Sequence, residues 1–293
     1  MTRRGFAGLA LGWCAIVMLF SVSPGSAESN WSTDPATGCN VWTEGQDPKA
    51  SITWTGPCKD GLAEGQGTLK TFQDGKVVAE ASGEWRQGKA NGHGSWTANG
   101  VHYEGELRDD EMNGRGVLTY RSGTRYEGEF RDDKPNGRGV IAYANGDRYE
   151  GEVRDGNADG RGTKLFARGN RYEGEFRGGQ FDGNGVFTWT SGNRYEGQWR
   201  NGKQEGHGIL AYKSGSKYDG EWRDGKEEGN GTYTWANGQR YEGEWRAGEA
   251  NGSGVLATEA GTFRGAWKNG CLKVDGRFVA AIERDPTTCA DDL

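Results

Sequence analysis

The strongest constraint on this chain is a unit of fixed length that opens with tyrosine. Seven tyrosines lie 23 residues apart: Tyr103, Tyr126, Tyr149, Tyr172, Tyr195, Tyr218 and Tyr241. Each begins the phrase Tyr-Glu/Asp-Gly-Glu/Gln-hydrophobic-Arg, which a turn, a Gly-x-Gly and a second strand-like run follow. Looser copies begin near Trp54 and Ala81, and a half copy begins at Phe263. A fixed period of this length predicts an array of small repeats.

Alternation within the unit predicts β-strands. Tyr126, Gly128 and Phe130 fall on one face of an extended strand, and the charged residues between them fall on the other. Ile141 and Tyr143 alternate in the same way in the second half of that unit. Asn-Gly and Asp-Gly pairs, which favour tight hairpin turns, separate the two halves in several units. Each unit is therefore predicted to be a β-hairpin.

The phrase resembles the MORN (membrane occupation and recognition nexus) repeat. The motif Tyr-Glu-Gly-Glu-Trp followed by Gly-x-Gly stands almost unchanged at 218–231 and 241–254. Two earlier units carry Asp110 and Asp133 in the turn, where later units have glycine. The resemblance implies an all-β fold, an elongated single-layer antiparallel sheet of tandem β-hairpins.

The first 27 residues differ in composition from the rest. Arg3 and Arg4 precede a mostly apolar run from Ala7 to Val22, and small residues lead to a cleavage site near Ala27. A retained membrane anchor is the alternative, but the run is shorter than the ~20 residues that a membrane-spanning helix needs. We expect an exported protein, periplasmic or extracellular, and the choice between the Sec and twin-arginine routes stays open.

Four cysteines remain after the leader is removed: Cys39, Cys58, Cys271 and Cys289. An even number of cysteines in an exported chain predicts disulfides. An array as extended as the resemblance implies would span roughly 90 Å at about 4.8 Å per strand, whereas bridged Cα atoms lie within about 7 Å. The expected pairs are therefore Cys39 with Cys58 and Cys271 with Cys289, each stabilising its end of the array by about 3 kcal/mol.

These features predict four segments along the chain. They are a signal peptide at 1–27, a cysteine-containing cap at 28–53, the repeat array at 54–273 with its regular units from 103 to 262, and a C-terminal cap or tail at 274–293.

Catalytic and metal-binding patterns are missing from the sequence. His93 and His207 occupy the variable slot of Gly-x-Gly and His102 ends a unit, so none has the fixed nucleophile and orienting partner of a catalytic triad. Residues 155–160 resemble the start of a calcium-binding loop, but the twelfth position is Phe166 instead of glutamate. We expect a protein that is not an enzyme, with no cofactor and no metal.

The aromatic face of the sheet is the candidate binding face. Its predicted residues are Tyr172, Phe176, Phe187, Trp189, Tyr195, Trp199, Tyr212, Tyr218, Trp222, Tyr233 and Trp235. They serve either to stack neighbouring units alone or to stack them and form a groove as well.

The predicted function is an exported, non-catalytic binding or scaffold protein that uses this face for a protein partner. Glycan or cell-wall binding is one alternative, because flat rings stack on sugars. Membrane-lipid association is another, which the family name suggests, although anionic lipids attract clustered Lys and Arg and the net charge here is −6. The same charge disfavours nucleic acid, which needs a basic surface.

Overall fold

The computed structural model describes residues 31–43, 47, 49–280 and 289. The predicted signal peptide lies outside these residues, as does most of the predicted C-terminal tail. The regular elements of the described residues are 25 β-strands, which form two compact units divided between Ala98 and Asn99. Among the described residues, no helix has the length and apolar character needed to span a bilayer.

The first unit contains eight strands in two sheets. The strands are β1 (Trp31–Thr33), β2 (Asn40–Trp42), β3 (Ser51–Trp54), β4 (Cys58–Lys59), β5 (Leu62–Ala63), β6 (Gly65–Gln73), β7 (Lys76–Arg86) and β8 (Lys89–Ala98). Strands β3, β6, β7 and β8 pair in that order as an antiparallel meander. The small sheet β1-β2-β5-β4 carries the disulfide between Cys39 and Cys58, whose Cα atoms are 5.7 Å apart.

The second unit is a longer meander. Its strands are β9 (Val101–Arg108), β10 (Glu111–Thr119), β11 (Arg125–Arg131), β12 (Lys134–Ala142), β13 (Arg148–Arg154), β14 (Asn157–Leu165), β15 (Arg171–Arg177), β16 (Gln180–Thr188), β17 (Arg194–Arg200), β18 (Lys203–Ala211), β19 (Lys217–Arg223), β20 (Lys226–Thr234), β21 (Arg240–Arg246), β22 (Glu249–Thr258), β23 (Gly261–Trp267), β24 (Cys271–Val274) and β25 (Arg277–Ala280). Each strand from β9 to β23 pairs antiparallel with the next along the chain, and β24 and β25 form a separate hairpin. The all-β class and the tandem hairpins are confirmed.

Both predicted disulfides are present in the structure. The second joins Cys271 at the start of β24 to Cys289, with 5.6 Å between the Cα atoms. Cys39, Cys271 and Cys289 are fully buried, so each bridge lies inside the unit that it closes.

The hairpin turns share one conformation despite their different sequences. Asn201 and Gly202 have φ angles of 50° and 77°, the left-handed pair of a type I′ turn. Asp110 and Asp133 stand at the second position of their turns with φ of 76° and 63°, so the aspartate units keep the same turn type. The Asp133 carboxylate accepts a hydrogen bond from the backbone N–H of Met112 at 2.8 Å, which links the turn to the preceding repeat.

A polar side chain ten residues after each repeat tyrosine links one repeat to the next. Six of these side chains accept a hydrogen bond from a turn N–H of the following repeat: Asn113, Asn136, Asp159, Asp182, Glu205 and Glu228. For example, Glu228 Oε2 accepts from the N–H of Ala247 at 3.0 Å. We call this series the linking ladder.

Candidate functional site

One aromatic side chain of each regular repeat is completely enclosed. We call the seven repeat tyrosines from Tyr103 to Tyr241 the tyrosine column; each has 0–1% of its surface exposed. Tyr195 shows the common arrangement: its hydroxyl donates to the carbonyl of Gln198 at 3.0 Å, and its ring lies over the paired glycines Gly197 and Gly208. A Cβ on Gly208 would lie 2.3 Å from the Tyr195 hydroxyl oxygen. The conserved spacing of the glycines therefore makes room for the ring.

The aromatic residue that ends the opening phrase closes the space between two column tyrosines. Trp199 and Trp222 meet the ring of Tyr195 edge-on from its two sides, with ring centroids 5.1 and 5.2 Å away. The indole N–H of Trp199 donates to the carbonyl of Gly185, and that of Trp222 donates to the carbonyl of Gly208, both at 3.1 Å. These tryptophans are buried and fully engaged in holding adjacent repeats together.

Burial raises the pKa of the column tyrosines. For Tyr126, burial and then the nearby Glu129 carboxylate raise the pKa of the hydroxyl to about 12. Burial raises the pKa of the other six column tyrosines in the same direction. A neutral tyrosine is thus favoured at every column position.

The structure divides the predicted binding face into buried and half-buried residues. Eight of the eleven are buried: Tyr172, Phe176, Phe187, Tyr195, Trp199, Tyr218, Trp222 and Tyr233. Trp189, Tyr212 and Trp235 are half-buried and keep part of each ring in contact with solvent. Only these three of the predicted residues offer a ring that a ligand can reach over more than its edge.

The half-buried residues belong to a longer series. It contains the residue 17 positions after each of six column tyrosines: Tyr120, Tyr143, Phe166, Trp189, Tyr212 and Trp235. We call this series the aromatic row; all six residues are half-buried and each directly follows an even-numbered strand. Sequence reasoning missed Tyr120, Tyr143 and Phe166 as site residues, although the same 23-residue spacing marks them.

A short loop holds each residue of the row. The N–H of Trp189 donates to the carbonyl of Asn193 at 3.0 Å, and the carbonyl of Trp189 accepts from the N–H of Gly192 at 2.9 Å. The Trp189 ring packs on Phe187 at 4.6 Å between centroids. The backbone is fixed while the outer part of the ring stays accessible.

A lysine interrupts the apolar character of the row at one place. Lys164 Nζ lies 5.2 Å from the ring centre of Tyr143 and 5.0 Å from that of Phe166, within the range of cation–π contacts. The same ammonium lies 3.5 Å from a carboxylate oxygen of Asp147, which is mostly buried. The positive charge there is already balanced within the protein.

A shallow pocket of about 240 Å³ opens at the row. Its lining residues come from three consecutive repeats: Trp189, Asn193, Gln204, Leu210, Trp222, Gly225 and Glu227. A wider cleft of about 700 Å³ is lined by charged side chains of both signs, among them Glu129, Arg131 and Arg154. Of the two, the first combines aromatic rings with a single carboxylate.

The comparison of the sequence with protein families decides the identity of the fold. The MORN repeat profile matches eight consecutive segments that cover more than half of the chain: 82–100, 103–125, 126–148, 149–171, 172–194, 195–217, 218–240 and 241–262. The chain belongs to the MORN repeat family. Each MORN unit from 103 onward begins at a residue of the tyrosine column, so the family pattern coincides with the buried layer.

Solved structures similar to this MORN chain include two centriolar protein domains. The TCP10 domain of Danio rerio CPAP, solved in complex with a peptide of Danio rerio STIL, is 13% identical, with a TM-score of 0.39 and coverage of 74% of this chain and 100% of that one. The Drosophila melanogaster SAS-4 (dCPAP) TCP domain, in complex with a proline-rich motif of Ana2 (dSTIL), is 15% identical, with a TM-score of 0.34 and coverage of 52% and 83%. No curated protein matches the chain.

Reactive side chains are dispersed over the MORN sheet. Among the described residues, no group of three or more His, Cys, Asp or Glu is placed to hold a metal ion. His207 Nε2 lies 3.2 Å from Asp219 Oδ1, and both side chains are largely exposed. MORN repeats are typically non-catalytic, and what this arrangement offers is a surface for binding.

Proposed function

We propose that this protein is an exported, non-catalytic binding protein that docks a protein partner on the aromatic row. The row, rather than the whole aromatic face, is the docking surface, because the column and its flanking tryptophans are buried. Tyrosine, tryptophan and phenylalanine are enriched at protein interfaces, since a large ring loses little conformational entropy when it is covered.

The observation that carries the proposal is the last complete repeat. Thr258 stands there at the position of the aromatic row, 17 residues after Tyr241. The hairpin keeps its pairing nonetheless, with Tyr241 opposite Leu256 and Arg240 opposite Ala257. An aromatic side chain at this position is therefore dispensable for forming the hairpin.

The row leaves apolar ring surface in water in six consecutive repeats. Contiguous exposed apolar surface of this kind marks interaction sites more often than it serves stability. A docking role accounts for a feature that the hairpins themselves do not require.

The two disulfides support export. Disulfides persist in oxidising compartments and are rare in reducing ones. Both bridges close short loops around buried cysteines, 19 and 18 residues apart in sequence. Together with the leader predicted at 1–27, they favour a periplasmic or extracellular location.

The test replaces the row by the residue that the last repeat already uses. A triple variant, Trp189→Thr with Tyr212→Thr and Trp235→Thr, should fold but lose its partner when the purified protein is used to capture binders from envelope extract. The matched control, Arg194→Gln with Glu196→Gln, removes an exposed ion pair of 2.7 Å and should capture the partner normally. Protein recovered from the envelope for this purpose should begin at Glu28.

The outcomes separate the alternatives. Partner capture that survives in a folded triple variant contradicts docking on the row. Wild-type protein that instead sediments with purified cell wall, or floats with liposomes, in a row-dependent manner replaces the protein partner with a glycan or with lipid. An N-terminus that still carries residues 1–27 contradicts cleavage of the leader.

A further inference from the structure

The position nine residues after each column tyrosine departs from its usual chemistry in two adjacent repeats. This position is occupied in turn by Met112, Pro135, Ala158, Phe181, Gln204, Glu227 and Ala250. It faces the residue that ends the opening phrase: Trp199 pairs with Gln204, and Trp222 pairs with Glu227. Five repeats place an apolar residue against that partner, and two place a polar one.

Both exceptional side chains line the 240 Å³ pocket on the aromatic row. Pockets for drug-sized ligands measure about 300–1,000 Å³, so this one suits a smaller group such as a single side chain. Trp189, Leu210 and Trp222 supply its apolar walls. Glu227 is the one charged residue in its described lining, and it is half-buried.

The surroundings of Glu227 carry negative charge. Burial raises the pKa of the neighbouring Tyr218, and four carboxylates raise it further: Glu227, Glu221, Asp219 and Glu228. A cation that enters the pocket would gain from this field, whereas an anion would be repelled.

We propose that this pocket accepts a lysine or arginine side chain of the protein segment that docks on the aromatic row. The methylene stem would pack against Trp189 and Leu210, and the cationic head would meet the Glu227 carboxylate beside the face of an indole. The amide of Gln204 supplies a further acceptor. This inference rests on the proposed function, which it sharpens by giving the partner segment a basic residue.

The chemistry fits a basic side chain better than other single residues. Aromatic faces attract cations, most strongly those of tryptophan, and a carboxylate adds a charge-assisted hydrogen bond. A purely apolar side chain would leave the half-buried Glu227 less solvated with nothing to pair with it. An acidic side chain would meet like charge.

The experiment uses four acetylated and amidated Gly-Ser peptides that differ only in the central residue: lysine, arginine, norleucine or glutamate. Each is titrated into the ¹⁵N-labelled full protein while the indole N–H signals of Trp189 and Trp222 are followed by NMR. The lysine and arginine peptides should shift both signals saturably. Norleucine, which keeps the methylene stem without the ammonium group, and glutamate should not.

Two variants with the same change of charge test the role of the carboxylate. Glu227→Gln should weaken binding of the lysine peptide by about tenfold or more, because it removes the partner of a partly desolvated charge. Glu242→Gln changes an exposed carboxylate paired with Arg240 and should leave the affinity unchanged. Unfolding midpoints of both variants report whether the sheet is intact.

The pocket proposal fails if norleucine binds as well as lysine, if no peptide gives a saturable shift at millimolar concentration, or if a folded Glu227→Gln protein binds like the wild type. None of these results affects docking on the row, which depends on the triple threonine variant. Loss of the partner in that variant together with indifferent peptides would leave the proposed function standing without this pocket.

Discussion

The tyrosine column and the aromatic row recur with the same period in the same repeats, yet they differ in what their surroundings demand. A column residue is enclosed, donates its hydroxyl to a carbonyl and lies over two glycines, as Tyr195 does. A row residue such as Tyr212 is half-buried and is held by backbone hydrogen bonds of its loop. The column is therefore fixed by geometry, whereas the row is free to vary.

The identities of the residues agree with this distinction. All seven column positions are tyrosine, because only tyrosine combines the flat ring with a hydroxyl that reaches the carbonyl three residues on. The row mixes tyrosine, phenylalanine and tryptophan, and Thr258 follows in the last complete repeat. A shared period thus shows that a position is used alike in each repeat, and residue identity shows whether the fold or an outside partner selects it.

Alkaline pH should give the largest effect, since it acts on the whole column at once. The folded-state pKa of each column tyrosine lies above its unfolded value of about 10, so the associated stability is present below pH 10 and is lost as the pH rises through the folded value. For Tyr126 the window runs from pH 10 to about 12. Urea unfolding midpoints measured from pH 9 to 12 should fall steeply, and tyrosinate absorbance should appear together with loss of β-sheet signal.

That result would be contradicted if seven tyrosines ionised while the sheet stayed folded. The comparison with the row would then need revision, because ionisation without unfolding means that the column is accessible to water.

Removing a single ring should separate the column from the row. Tyr195→Ala deletes a fully buried ring and should lower the free energy of unfolding by about 3–5 kcal/mol, as for other large aromatic residues in a core. Tyr212→Ala removes a half-buried ring with no hydrogen bond required by the hairpin and should cost about 1 kcal/mol. Urea denaturation of the two variants measures both values, and equal losses would show that the row is as structural as the column.

The glycines under the column should give a smaller effect with a distinct cause. Gly208→Ala places a Cβ 2.3 Å from the Tyr195 hydroxyl oxygen and should cost about 2–3 kcal/mol through overpacking. Gly238→Ala, at a loop beside the row, meets no atom within 4 Å but has a φ of 88°, so strain alone should cost about 1 kcal/mol. A Gly208→Ala protein as stable as Gly238→Ala would mean that the column ring has room to move.

Much of this architecture could be predicted from the sequence, because it depends on local pattern. Alternation around Tyr126 indicates strands, and the pairs at Asn201 and Asp224 indicate turns. The cysteine pairs follow once the repeats are recognised. The pairing register is what converts Gly-x-Gly into the floor beneath a tyrosine, and that register is shifted by an irregularity between Gly197 and Trp199.

The candidate site was harder to predict, because burial within one face does not follow from alternation. Trp199 and Trp189 lie on the same face, yet the first is enclosed between two tyrosines and the second is half-exposed at a strand end. The pocket joins Trp189 to Glu227 across three repeats, a distance in sequence that no local motif spans. Only the packing of neighbouring hairpins brings such residues together.

The linking ladder sets the step by which such a protein can change in length. Every acceptor in it meets a turn of the following repeat, so each junction within the regular series uses the same type of contact. Deleting residues 149–171 would bring Asn136 against Gly178 in place of Asp155, with the hydrogen bond to a turn N–H preserved. Gain or loss of whole 23-residue units is therefore the route of evolution open to this gene, and fractional insertions within a unit are closed to it.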